Sequence, residues 1–167
     1  ALVTGATRGI GRAIVLELTR RGIKKLILVA RDRQRLGELA TEIKASGVEA
    51  ISLSIDLTQS TSVNLSITSA LRSYGPVDIL INCAGVAHQT PFLLSRLLKV
   101  REEISLNLIG TYTITRLVAR HMAARKQGTI VNVSSLMGKL AAPTMATYSA
   151  TKFALLGFTQ ALRGELS

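Results

Sequence analysis

With 167 residues, 47% of them hydrophobic, the chain can close one substantial core and is short for two, so a single domain over 1–167 is expected. A lone cysteine excludes an internal disulfide, no apolar run approaches the roughly 20 residues of a membrane-spanning helix, and no cleavable signal pattern is visible, which leaves a cytoplasmic protein as the default. The formal charge of +11 is dispersed; with no Trp, three Tyr and three Phe it lacks the stacking residues of a nucleic-acid surface and reads as a solvated basic face, part of which meets a phosphorylated ligand.

In chain order, apolar runs of strand length alternate with longer segments of helical period. Leu2-Val3 is the end of a first strand and Ile10–Arg21 a first helix. Leu26–Ala30 and Gln34–Ser46 repeat the pair, as do Ala50–Ile55 and Ser60–Tyr74. Ile79–Cys83 is a fourth strand, followed by a short helix within Pro91–Arg101, a long one over Glu103–Arg125, a fifth strand over Thr129–Val133 and a last helix from Thr147 onward. Gly22, Gly47, Gly75-Pro76 and Gly128 each fall where a helix ends and a strand begins. The alternation predicts an α/β fold, a doubly wound parallel sheet with helices on both faces. The chain opens inside an apolar run and stops inside a helical pattern, so it is expected to be part of a longer polypeptide.

The first strand runs into Thr4-Gly5-Ala6-Thr7-Arg8-Gly9-Ile10-Gly11, which opens the first helix. Glycines let the backbone turn tightly and approach a pyrophosphate, and the helix N-terminus attracts its charge. No Gly-Lys-Ser/Thr follows, so this is not a P-loop. In an open parallel sheet ligands bind beyond the carboxyl ends of the strands. Arg31 follows the second strand, Asp56-Leu57 the third, Asn82-Cys83-Ala84-Gly85 the fourth and Ser134-Ser135 the fifth, which gathers all of them on one edge.

Tyr148 and Lys152 stand four apart on the last helix, on one face with a rise of about 6 Å between their backbones. A phenol with a pKa near 10 is a poor proton shuttle at neutral pH, and a nearby ammonium lowers it. Taken alone, such a pair is a solvated helix face. His88, His121 and Cys83 form no cluster at metal-ligand spacing, so no metal is expected, and Ser135 has neither a nucleophile elbow nor a His and carboxylate pair.

The spacing Gly5-x-x-x-Gly9-x-Gly11 resembles the short-chain dehydrogenase/reductase family, and other motifs fall in register with it: Asn82-Cys83-Ala84-Gly85, with Cys83 in place of the usual second Asn, then Asn107, Ser135, and Tyr148-x-x-x-Lys152. Within the family the chain is most similar to 3-oxoacyl carrier-protein reductases and general ketoreductases. The resemblance implies a Rossmann-type, three-layer α/β/α fold whose C-terminal part lies beyond residue 167. It also implies hydride transfer between NADP(H) and a carbonyl or secondary alcohol. Tyr148 would donate the proton, Ser135 bond the substrate oxygen, Lys152 hold the nicotinamide ribose and tune Tyr148, and Asn107 position a water that links Lys152 to solvent.

Gly5, Thr7, Arg8, Gly9, Ile10, Gly11, Arg31, Asp56, Leu57, Asn82, Ala84, Gly85, Tyr148 and Lys152 would contact the cofactor. NADP is favoured over NAD because Ala30 occupies the place of a ribose-binding acid, with Arg31 and Arg8 near; Asp32 argues the other way. The partner is a small carbonyl or alcohol, an acyl-carrier-linked one included. A homodimer or homotetramer is expected through the long helix (Ile104, Leu108, Tyr112, Thr115, Met122) and the last (Phe153, Leu156, Phe158, Leu162). The alternatives are a non-catalytic dinucleotide sensor or scaffold, which need not retain Ser135, Tyr148 and Lys152, and a sugar-nucleotide epimerase or dehydratase, whose glycine turn is spaced differently.

Overall fold

The structure is a computed structural model, and residues 1–166 are described. Strands β1 (Leu2–Thr4), β2 (Lys25–Ala30), β3 (Glu49–Ser54), β4 (Ile79–Asn82) and β5 (Thr129–Asn132) form one parallel sheet in the order β3-β2-β1-β4-β5. Helices α1 (Gly9–Arg20), α2 (Arg33–Ala45) and α3 (Ser60–Tyr74) make the first three crossovers. Between β4 and β5 the chain runs through a 3-10 turn (Phe92–Leu94), α4 (Leu97–Ile104), a π-helical segment (Ser105–Gly110) and α5 (Thr111–Arg125); α6 (Ala146–Leu166) follows β5.

A parallel sheet covered on both faces needs apolar side chains on both, and the strands supply them by alternation. Ile27 and Val29 of β2, with Leu2 and Leu80, join Val63 and Ile67 of α3 and Ile114 and Val118 of α5. Leu26 and Leu28, with Val3 and Ile81, join Val15 of α1 and Leu36, Leu39 and Ile43 of α2. Full burial of side chains of this size contributes about 1.5–3 kcal/mol each, which holds three layers together. The chain winds from β1 outward to β3, then returns to place β4 beside β1. That reversal opens a crevice at the carboxyl ends of β1 and β4.

The segment expected as a short helix and a separate long one is a single helical run from Leu97 to Arg125, widened at Ser105–Gly110. The widened segment ends at Gly110, where a Cβ would lie 2.6 Å from the Leu57 carbonyl oxygen, so only glycine lets the run approach the loop after β3. Two residues assigned to an association face belong to the core instead: Thr115 and Met122 are 0% and 5% exposed against the sheet, whereas Ile104, Tyr112 and Phe153 are exposed. Among the described residues no helix is long and apolar enough to cross a membrane.

Candidate functional site

The turn after β1 takes the shape that its glycines permit. Gly5 and Gly9 have φ of 66° and 52°, the left-handed region that side chains with a Cβ avoid. A Cβ on Gly5 would lie 2.9 Å from Ala84 Cα, and one on Gly11 would collide with the Gly5 carbonyl oxygen, so turn, helix and the segment leaving β4 interlock through missing side chains. Arg8 occupies the N-cap of α1 and no side chain caps that end. Its first N–H groups therefore face the crevice with their dipole, an anion site by construction.

At the other end of the crevice the charges sort themselves. Asp32 caps α2, accepting from the Arg35 amide at 3.0 Å, and pairs with the Arg35 guanidinium at 3.3 Å. The carboxylate that could have bonded a ribose hydroxyl is thus engaged with its own helix. Among the described residues Arg8 and Arg31 have no side-chain partner, and both line the cleft.

Polar side chains hold the segment leaving β4. The Thr4 hydroxyl oxygen accepts from the Cys83 and Ala84 amides at 3.0 and 3.1 Å. Asn107 accepts from the Val86 amide and donates to the Val86 carbonyl, both at 2.8 Å, and also donates to Thr151 on α6. Asn82 turns away from the crevice: its Nδ2 donates to Thr115 and Asn132, each at 2.8 Å, and Asn132 donates to Thr159 on α6. Asp56 accepts from the Thr58 amide and hydroxyl, which shapes the turn before α3.

Tyr148 and Lys152 share one face of α6, with the Lys152 Nζ 5.7 Å from the Tyr148 ring centre. Lys152 is 6% exposed; its ammonium donates to the Val133 carbonyl at 2.9 Å and lies under Gly85, 3.8 Å from where a Cβ would be. Burial pushes the Lys152 ammonium below its ordinary pKa, an effect the nearby Cys83 sulfur partly offsets, and burial pushes the Cys83 thiol up. The Ser135 hydroxyl accepts from the Met137 amide at 3.2 Å and starts a 3-10 turn over Leu136–Gly138. Gly138 lets that turn pack on α6, since a Cβ there would lie 2.9 Å from the Lys152 carbonyl oxygen.

These parts enclose a cleft of about 680 Å³. Most of the site residues expected from the sequence line it; Asp56, Asn82, Asn107 and Ser135 border it without lining it, and Ser134 lines it beside Lys152. Arg35, Val86 and Leu106 line the cleft and were not singled out; Arg35, one turn into α2, is the one that charge and position could have flagged. Thr4 and Glu103, both buried, were missed because their partners lie in other elements. Among the described residues no group of three His, Cys, Asp or Glu side chains is placed to hold a metal.

Sheet order, glycine turn and crevice define a Rossmann-type nucleotide-binding domain. The family model described as short chain dehydrogenase matches residues 1–167, and the chain belongs to the short-chain dehydrogenase/reductase family. It is 35% identical over 167 residues to a 3-oxoacyl-[acyl-carrier-protein] reductase of Synechocystis, covering all of this chain and 68% of that protein. The corresponding reductase of Staphylococcus epidermidis is 32% identical with the same coverage. Among solved structures, a metagenomic short-chain oxidoreductase in complex with NADP superposes with a TM-score of 0.94 at 38% identity, covering 99% of this chain and 75% of that one. An NAD⁺-bound xylitol dehydrogenase superposes with a TM-score of 0.93 at 30% identity, covering 99% and 64%.

Proposed function

We propose that the protein is an NADP(H)-dependent oxidoreductase acting on a carbonyl or secondary alcohol, with Tyr148 as the proton donor and acceptor. The observation that carries this reading is the buried Lys152 ammonium one helical turn from Tyr148, opening into the cleft that begins at the uncapped end of α1. The cleft fits a phosphorylated dinucleotide. The α1 N-terminus with Gly5, Gly9 and Gly11 would hold the pyrophosphate, Arg8 and Arg31 a 2′-phosphate, and Lys152 the nicotinamide ribose. When bound, the dinucleotide gives or takes the hydride.

The chain's own residues manage the proton. In reduction the Tyr148 hydroxyl gives its proton to the substrate oxygen, and in oxidation the phenolate takes it back. The Lys152 ammonium, 5.7 Å from the Tyr148 ring centre, faces the negative charge left on the phenol once its proton is given. Ser135 donates a hydrogen bond to the substrate oxygen, and a water held beside Asn107 links Lys152 to solvent. The names of the Synechocystis and Staphylococcus relatives point to an acyl-carrier-linked ketone as the first substrate to try. Exposed Ile104, Tyr112 and Phe153 support association of copies through the helical run α4–α5 and through α6, and the reading places the enzyme in the cytoplasm.

Tyr148→Phe keeps the ring and removes the proton donor. In the complete polypeptide it should bind NADPH as the wild type does and lose at least about 10²–10⁴-fold in ketone reduction. Reduction at the wild-type rate would sink the catalytic assignment and favour a dinucleotide sensor.

A further inference from the structure

We infer that Glu103 is a positioning residue of this site, acting on Tyr148 through the segment that follows β4; the inference rests on the oxidoreductase reading. Glu103 is 2% exposed on α4, and its Oε1 accepts from the His88 amide. Asn107, four residues along the same helical run, accepts from the Val86 amide. The Thr90 amide in turn donates to the Thr144 carbonyl at 2.8 Å. Residues 86, 88 and 90 thus present every second amide to the elements that flank the site, and each finds an acceptor there. This irregular segment has no sheet partner, and a part-buried amide that loses its acceptor is costly, so these three acceptors set its course together with the Asn107 bond to the Val86 carbonyl and the 3.2 Å contact of the His88 ring with Glu102.

The third rung reaches the catalytic helix. Thr144 has φ of 65°, the left-handed region, which a β-branched residue occupies only when its surroundings hold it there. Its carbonyl is the acceptor for Thr90, and it lies four residues before Tyr148. Beneath this contact is a cavity of about 140 Å³ whose wall includes Glu103, His88, Thr90, Thr144 and Thr147. Glu103 is therefore the fixed end of a strut that runs from α4 through His88 and Thr90 to Thr144 and the first turn of α6. Its Oε2 has no hydrogen-bond partner among the described residues, so the fixed end depends on the acceptor Oε1 and not on an ion pair. The Cys83–Val86 part of the segment is held separately by Thr4 and Asn107.

Two variants of the complete protein separate an acceptor role from a charge role. Glu103→Gln keeps a side-chain oxygen at the same reach and removes the charge; Glu103→Asp keeps the charge and withdraws the acceptor by about one C–C bond, ~1.5 Å. Amide hydrogen exchange over residues 84–91 is the direct readout, with kcat, KM for a ketone and the NADPH dissociation constant beside it. Glu103→Gln should exchange as the wild type and turn over within about 2-fold of it. Glu103→Asp should exchange on the order of ten-fold faster at residues 87–90 and lose on the order of ten-fold in kcat, with NADPH affinity within about 2-fold. The inference is overturned if Glu103→Asp exchanges as the wild type, or if Glu103→Gln is as impaired as Glu103→Asp. Exchange needs no turnover, so it decides the role of Glu103 even if no ketone is reduced and the oxidoreductase reading fails.

Discussion

Thr4 ends β1 with one hydroxyl oxygen accepting from two consecutive amides, Cys83 at 3.0 Å and Ala84 at 3.1 Å, and it is 1% exposed. Thr4→Val preserves shape and branching while leaving both part-buried N–H groups without the acceptor that holds them. A buried donor stripped of its partner costs about 1–3 kcal/mol, so the pair should cost about 2–5 kcal/mol. Against a native stability of about 5–15 kcal/mol this is a large fraction, and at about 2–4 °C per kcal/mol for a domain of this size it lowers Tm by roughly 5–20 °C. Thr4→Ser keeps the oxygen and should recover most of the loss. Urea unfolding followed by circular dichroism on the complete protein measures both. Because Ala84 and Gly85 line the cleft, NADPH affinity should fall with Thr4→Val and return with Thr4→Ser. A Thr4→Val protein within about 0.5 kcal/mol of wild type would show that the amides find other acceptors and would refute the argument.

The remaining expectations concern charge. Arg31→Ala should raise the KM for NADPH by roughly 10- to 100-fold, the equivalent of one charge-assisted hydrogen bond of about 1.5–3 kcal/mol, and leave the KM for NADH unchanged; equal effects on both cofactors would remove Arg31 from the 2′-phosphate. Burial lowers the Lys152 pKa, so the unfolded chain still holds that proton at pH values where the folded chain has released it. Stability from this group therefore rises with pH from the folded value up to the ordinary 10.5. In a Cys83→Ala background, which removes the thiol's opposite titration, Lys152→Met should flatten that rise in unfolding free energies measured from about pH 7 upward; an unchanged slope would mean that Lys152 titrates normally.

The layer order, the crossovers and the placing of the ligand edge were legible in the sequence because each rests on short-range periodicity. A strand buried on both faces must be apolar at successive positions, as Leu26 to Val29 are, and a helix that follows must return to an amphipathic period. Gly5 and Gly9 were readable for the same reason, since a turn that needs left-handed backbone announces itself locally. Tyr148 and Lys152 were readable as a pair because helical spacing alone puts them on one face.

What only the tertiary structure decided is how polar groups are used between elements. Asp32, an argument for NAD on the page of letters, is occupied by α2 and Arg35. The Asn82 side chain ties β4 to its neighbours, and that of Asp56 shapes a turn. Thr115 and Met122, expected on an outer face, belong to the core, where Thr115 accepts from Asn82 and Met122 packs in the cluster with Leu80 and Val118. Thr4 with Cys83 and Ala84, and Glu103 with His88, are bonds between residues 79, 80 and 15 positions apart. A hydrogen bond needs two atoms within about 3 Å along a defined direction, and no period of residue types along the chain encodes which distant backbone amide folding will bring there.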